Sequence, residues 1–325
     1  MPLTPDTRIH VAGHRGLAGS ALVRTLESRG YRNLILRTHA EVDLEDAAAV
    51  RALYAAEKPD VVVLAAARVG GILANDTFPA DFIRQNLALQ TAVIDEAFRA
   101  GVQRLLFLGS SCIYPRDCPQ PIREDYVLTG PLENTNRAYA MAKLAGLEMC
   151  RAYNVQHGTH YLCAMPTNLY GPGDNYDLET SHVLAALIRK FHDANATRSD
   201  HVTLWGTGTP RREFLHSDDM AAACVRLLEA TPEDIARVIP DGEAPLINVG
   251  CGVDATIADT AALVRDVIGS DARIEWDPTK PDGTPRKTLD ISRMTALGWR
   301  PSIALRDGVA RAYRDFLARA ERLPA

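Results

Sequence analysis

No apolar run in this chain is long enough to span a bilayer. The N-terminus, "MPLTPDTRIHVAG", lacks the charged-then-apolar layout of a secretion signal and runs almost at once into a strand. None of the six cysteines forms a C-x-x-C pair, which argues against a zinc site or a redox motif, and no metal is expected. There is no basic excess: the formal net charge is -5, which gives no reason to expect nucleic acid or an anionic membrane surface. Internal repeats and low-complexity segments are also missing. What remains is the expectation of a cytoplasmic enzyme whose cysteines stay reduced and are mostly small core residues. With 325 residues, 46% of them hydrophobic, the chain suits one large domain or two unequal ones.

Short apolar runs alternate with helical patterns through the first half. "RIHVAG", "NLILR", "DVVVLAA", "RLLFLGS" and "YLCAMP" read as strands. Between them, an amphipathic stretch through Arg29, "DAAAVRALYAAEK", "ADFIRQNLALQTAVIDEAFRAG" and "RAYAMAKLAGLEMCRAYNVQHG" read as helices. Continuously apolar strands alternating with helices predict an α/β fold, a doubly wound parallel sheet of the Rossmann type. After about Pro166 the texture changes. "TNLYGPGDNYDLETSH" and "IEWDPTKPDGTPRKTLD" read as loops, with a helix "VLAALIRKFHDA" after the first. The expected layout is a dinucleotide-binding domain over 1–170. Residues 171–325 then form mainly a smaller substrate-binding lobe, with some segments returning to the first domain.

"GHRGLAG" sets Gly13, Gly16 and Gly19 directly after the first strand and at the opening of a helix. Glycine lets the backbone turn tightly and approach a pyrophosphate, whose charge sits at the helix N-terminus. The alternative is a cluster of packing glycines. Binders of NAD usually end the second strand in an acid that holds the ribose 2′-hydroxyl. Here Arg37 and His39 stand there, with Arg15 in the glycine loop. Cations at that place suit a 2′-phosphate, so NADP(H) is expected; the alternative is solvated surface charge.

"YAMAK" puts Tyr139 and Lys143 four apart, on one face of a helix. Tyrosine titrates near ~10 and needs help to work at neutral pH. A cation one turn away is expected to favour the phenolate and lower that value. Ser110, at the end of the fourth strand, can donate to a substrate carbonyl. Two residues on stands Cys112, either a core thiol or a base.

The glycine loop, the strand-end serine and Y-x-x-x-K, in this order, resemble the extended short-chain dehydrogenase/reductase family. Longer words narrow the likeness: "AGHRGLAGSA", "LAAARVGGI", "FLGSSCIYP", "YAMAKLAG", "MPTNLYGPGDN", "SHV", "WGTGTPRREFLHSDDMA" and "KPDGTPRK". They run from about Val11 to Lys287 and resemble the branch of that family that epimerises and reduces GDP-4-keto sugars. The resemblance implies conversion of GDP-4-keto-6-deoxy-D-mannose to GDP-L-fucose with NADPH, by 3,5-epimerisation and then 4-keto reduction. It gives Ser110, Cys112, Tyr139, Lys143 and His182 as catalytic residues, with Cys112 and His182 as the proton-transfer pair; a loop histidine with a structural role is the alternative for His182. A thiol near ~8.5 is a fair base once partly ionised, and histidine holds a proton near neutral pH.

By the same resemblance, cofactor contacts fall on Leu17, Asp43, Leu44, Ala66, Lys143, Pro166, Asn168, Leu169 and His182, beside the glycines and cations already named. Substrate contacts fall on Asn168, Arg189, Lys190, Trp205, Arg212 and Asp282. Trp205 has the alternative of a packed aromatic, and Arg212 of pairing with Asp218 or Asp219. The resemblance also implies a homodimer through a four-helix bundle of two long helices, from Ala80 to Ala100 and from Ala138 to Tyr153. Two departures widen the reading. His39 stands where relatives often carry another arginine, which leaves room for NADH. Thr180 stands where they often carry asparagine, which leaves room for another GDP-4-keto sugar such as a heptose or dideoxy sugar. Rival readings are an NAD-retaining epimerase or dehydratase of UDP- or dTDP-sugars, which needs neither Cys112 nor His182, and a nucleotide-binding scaffold, which needs none of Ser110, Tyr139 and Lys143.

Overall fold

Six parallel strands make the central sheet of the computed structural model, which describes residues 3–280 and 282–320. They are β1 (Ile9–Ala12), β2 (Leu34–Ile35), β3 (Val61–Leu64), β4 (Arg104–Leu108), β5 (His160–Pro166) and β10 (Leu246–Val249), in the spatial order β10-β5-β4-β3-β1-β2. Every neighbouring pair is parallel. β1 and β3 carry only buried side chains, as a strand covered on both faces must. The chain leaves β1 toward β2 and returns on the other side as β3, so the sheet's switch point lies between the ends of β1 and β3.

Three helices cover one face: α2 (Ala47–Glu57), α4 (Pro79–Arg99) and α5 (Arg137–His157), whose Val50, Val93 and Leu147 enter one core with Val62 and Phe107. The other face is covered by α1 (Leu17–Ser28) and α7 (Ser217–Glu229), through Leu22 and Met220 against Val63 and Leu106. Asp46 caps α2 by accepting from Ala48 N, and α5 stops at Gly158, which takes the left-handed conformation (φ +68°). α3 (Ile72–Thr77) is a single short turn before α4.

A separate core belongs to the second lobe. α6 (Val183–Thr197), α9 (Ile257–Ile268) and α11 (Leu305–Ala320) pack Ile188, Val264 and Val309 around β7 (His201–Trp205). Small strands complete it: β6 (Asn168–Tyr170) with β9 (Phe214–His216), β7 with β12 (Arg273–Asp277), and β8 (Arg211–Arg212) between β11 (Ala255–Thr256) and β13 (Arg286–Lys287). Two short helices, α8 (Pro232–Ala236) and α10 (Ser292–Ala296), lie in the connections.

Two segments expected to be loops contain strands. Asn168–Tyr170 pairs with β9, and Ile274–Asp277 extends β12 along β7. Both are too short to show a period, and their partners lie more than 40 residues away, so only the tertiary pairing makes them strands. Pro281, inside the second loop word, lies outside the described residues, as do the first two and last five residues of the expected domain ranges.

Candidate active site

The glycine loop follows β1 directly. Gly13 has φ +84°, and a Cβ there would stand 2.6 Å from the Cα of Ala66, just beyond β3. Gly19 is buried on the first turn of α1, where a Cβ would overlap the carbonyl oxygen of Gly13. Gly16 is the N-cap of α1 with no side-chain cap, and the first turn holds no acid. The result is a bare helix N-terminus against a tight turn that admits no side chain at Gly13 or Gly19, a cradle of the kind that suits a diphosphate. Nδ1 of His14 in the same loop is buried without a partner. Among the expected cofactor contacts, Leu17 opens α1 and Arg15 is exposed beside it. Leu44 and Ala66 pack at the edge of the first core, Pro166 is buried at the end of β5, and Leu169 packs against the second core.

The cations at the end of β2 are arranged less simply. The Arg37 guanidinium pairs with Glu57 and donates to the Leu36 carbonyl at 2.9 Å. The His39 side chain is 83% exposed, 3.8 Å from Asp43. Arg15 is therefore the cation left without a carboxylate partner among the described residues.

β4 ends at Leu108, beside β5. Ser110 then caps a short turn, its Oγ accepting from Cys112 N at 3.3 Å. Tyr139 and Lys143 project from successive turns of α5. Lys143 Nζ donates to the Leu108 carbonyl at 2.8 Å and lies 4.7 Å from the Phe107 ring and 5.9 Å from the Tyr139 ring. This cleft reverses the sign expected for the tyrosine. Desolvation pushes Tyr139 above the ordinary phenol value, nearby Cys112 adds to this, and the Ser110 hydroxyl opposes it. Burial lowers Lys143 to about 7. Burial thus weakens the cation expected to help the phenolate, leaving it about half charged at pH 7.

Cys112 faces two donors: Asn136 Nδ2 at 3.2 Å and Lys287 Nζ at 3.5 Å. His182 is the N-cap of α6, at the end of a loop that Asp177 folds by accepting from the amides of Glu179 and Thr180. The amide of Gly71 donates to the Thr180 carbonyl at 3.0 Å, tying this loop to the start of α3. Crowding by the cleft walls lowers His182, and the Lys287 ammonium adds to that, although the residue keeps access to water. Lys287 thus touches Cys112, and its charge also acts on His182.

Arg212, on β8, donates to the Asp282 carbonyl at 3.3 Å, and its guanidinium feels both Asp282 and Cys112. Asp218 and Asp219 engage Arg24 and Ser302 instead. The Asp282 carboxylate accepts from the amide and the hydroxyl of Thr207, both at 2.8 Å. Trp205 is 45% exposed, with the Lys280 ammonium 5.4 Å from its ring. Asn168 Nδ2 donates to the Glu213 carbonyl at 2.9 Å. Arg189 and Lys190 are not brought to Cys112. One pairs with Asp193 at 2.7 Å on its own helix and the other donates to the Thr203 carbonyl at 2.8 Å.

Three residues that sequence reasoning passed over complete the site. Lys287 closes "KPDGTPRK", a word from which only Asp282 was taken. Asn136 stands three before Tyr139. Glu213, fully buried, accepts from the amides of Cys251, Gly252 and Leu289 and so fixes the strands that carry Arg212 and Lys287. A groove of about 920 Å³ lined by Arg8, Lys58, Asp60 and Arg104 lies at the opposite ends of the strands. Open parallel sheets bind ligands beyond the carboxyl ends, where the glycine loop, Ser110 and Tyr139 lie, so that groove is not the site. No helix among the described residues is long and apolar enough to cross a membrane.

Comparison with known proteins agrees with this geometry. The NAD dependent epimerase/dehydratase family model matches residues 9–239. A putative GDP-L-fucose synthase 2 of Arabidopsis thaliana is 53% identical over 315 residues, 97% of this chain and 93% of that protein. Among solved structures, a GDP-6-OMe-4-keto-L-xylo-heptose reductase from C. jejuni is 34% identical with a TM-score of 0.92, covering 98% of this chain and 100% of that one. A GDP-L-fucose synthetase from Naegleria fowleri bound to NADP is 26% identical with a TM-score of 0.87, covering 99% and 96%. The chain belongs to the NAD dependent epimerase/dehydratase family, the extended short-chain dehydrogenases/reductases.

Proposed function

We propose that this chain is an NADPH-dependent epimerase-reductase that converts GDP-4-keto-6-deoxy-D-mannose to GDP-L-fucose. The observation that carries the reading is the second reactive pair. A simple ketoreductase needs Ser110, Tyr139 and Lys143, whereas this cleft also holds Cys112 and His182 around one lysine. The 53% identity to a protein named as a GDP-L-fucose synthase supports the choice of sugar. The NADP-bound neighbour and the exposed Arg15 support NADP(H).

The residues divide the work. Ser110 and Tyr139 donate to the C4 oxygen and polarise the ketone, which acidifies the hydrogens at C3 and C5. Cys112 and His182 take and return those protons from opposite faces. Bound NADPH supplies the hydride to C4. Tyr139 gives its proton to the C4 oxygen, and Lys143 holds the ribose. Arg212 and Asp282 hold the nucleotide side of the substrate, with Trp205 against it. Residues 1–170 serve the cofactor and 171–325 mainly the substrate, with β10 returning to the sheet. The protein works in the cytoplasm, a reading that the six free thiols support. It pairs as a homodimer through α4 and α5, which lie side by side and leave Met141 44% exposed.

The test is turnover of GDP-4-keto-6-deoxy-D-mannose with NADPH in deuterated water, read by mass spectrometry and NMR. GDP-L-fucose with deuterium at both C3 and C5 is the expected product. Reduction without deuterium would leave a plain 4-ketoreductase. Turnover only with a GDP-4-keto-heptose would move the reading to the chemistry named for the C. jejuni neighbour.

A further inference from the structure

Lys287 has no carboxylate within ion-pair distance among the described residues, although it lies in a lobe rich in Asp–Arg pairs. Its backbone is fixed on both sides. Arg286 Nε pairs with Asp254 at 2.5 Å, the Thr288 amide donates to Gln120 at 2.9 Å, and Leu289 N donates to Glu213 at 2.8 Å. β13 also runs in register with β8, Lys287 beside Arg212. An ammonium held this firmly and left without a counter-ion ends 3.5 Å from the sulfur of Cys112. On another side of that sulfur, Asn136 Nδ2 stands at 3.2 Å, while Asn136 Oδ1 is buried without a partner. Lysine and a side-chain amide NH₂ are both donors, so the sulfur is placed as an acceptor from each.

We propose that Lys287 is the positioning residue for Cys112: its ammonium, with the Asn136 amide, donates to the sulfur, aims it at the carbon hydrogen and stabilises the negative charge it carries as a base. The inference rests on the epimerase-reductase reading and says what powers its base. In the step, the C–H bond breaks and an S–H bond forms. The C–H electron pair moves into the enolate, whose oxygen Ser110 and Tyr139 hold. The other charged and titratable groups that interact with the sulfur are Arg212 and Tyr139. Lys287 also faces His182 and Cys118. Glu133, which acts on Arg212, lies 3.4 Å from the Arg116 guanidinium.

The experiment is iodoacetamide alkylation of the full chain, without substrate, with Cys112 followed by peptide mass mapping across pH. Lys287→Met should slow alkylation of Cys112 about tenfold at pH 7 and move its profile to higher pH, the size expected for losing one opposite charge at contact. Lys287→Arg should restore most of the rate, which separates charge from folding. A second readout is deuterium uptake into the GDP-4-keto sugar without NADPH, which should fall in Lys287→Met with the same displacement in pH. An unchanged alkylation profile in Lys287→Met, with only the KM for the GDP-sugar raised, would overturn the proposal and make Lys287 a substrate contact. If wild-type protein takes up no deuterium, the epimerase reading fails by itself, while the alkylation profile still decides whether Lys287 governs the sulfur.

Discussion

At the scale of single residues, Tyr139 and Lys143 show how a shared cleft alters what a spacing promises. Four-residue spacing put them together, and they are together. Yet burial moves the phenol up and the ammonium down to about 7, because both charged forms lose water on the same apolar wall. Lys143 is therefore charged below about pH 7 in the free protein and neutral above it. NADPH affinity, read by nicotinamide fluorescence, should weaken as pH rises through about 7, and Lys143→Met should flatten that dependence. Tyr139→Phe should lower reduction by a factor on the order of 10²–10⁴. It should slow deuterium uptake at the sugar carbons less than it slows reduction, because Ser110 still holds the enolate oxygen and the proposed proton-transfer pair, Cys112 and His182, is intact; uptake lost as fully as reduction would show that the phenol itself moves those protons. The identities of Ser110, Cys112 and His182 were readable as words in the sequence. The partner of Cys112 was not, because Lys287 lies 175 positions away and only the fold brings it to the sulfur.

Elements carry a different set of consequences. The glycine loop was legible because its constraint is local: a strand, a tight turn and a helix N-terminus within ten residues. Gly19→Ala drives a methyl into the Gly13 carbonyl and must lift α1 off the loop. It should cost about 1–3 kcal/mol of stability and weaken NADPH binding, measurable as a lower Tm and a higher Kd. β1 holds a second sensitive group. His10 is buried, bonded through Nδ1 to the Tyr54 hydroxyl at 3.0 Å, and lowered to about 4 by burial, with Arg37 and His14 adding to it. Above about pH 6.5 both folded and unfolded states hold it neutral. Between 6.5 and 4 only the unfolded state takes the proton, so stability falls as pH falls across that window, by up to roughly 3 kcal/mol. Urea titrations of His10→Asn should show a shallower loss than wild type over the same range. β6 and β12 escaped sequence reading for the opposite reason. Strands of three to five residues have no period of their own, and their partners, β9 and β7, are remote.

For the whole molecule, the two lobes meet around Cys112, with Ser110 and Tyr139 coming from the sheet domain and Arg212 and Lys287 from strands of the second lobe, Arg212 bonded to the loop residue Asp282. Glu213 holds that junction by accepting three backbone amides on two segments. The outer face of α4 and α5 is the surface assigned to the homodimer. Light scattering should give twice the 35.5 kDa chain mass, and Met141→Glu should halve it; a wild-type monomer would remove the four-helix bundle. The sequence by itself determined the alternation of buried strands with helices, the dinucleotide loop and the family words, because these depend on neighbours within a few residues. Tertiary structure alone decided which lysine faces the thiol, that Arg37 turns to Glu57, and that Tyr139 and Lys143 are desolvated together. Each of these depends on distance, burial and charge between residues far apart in the chain, and no local pattern records them.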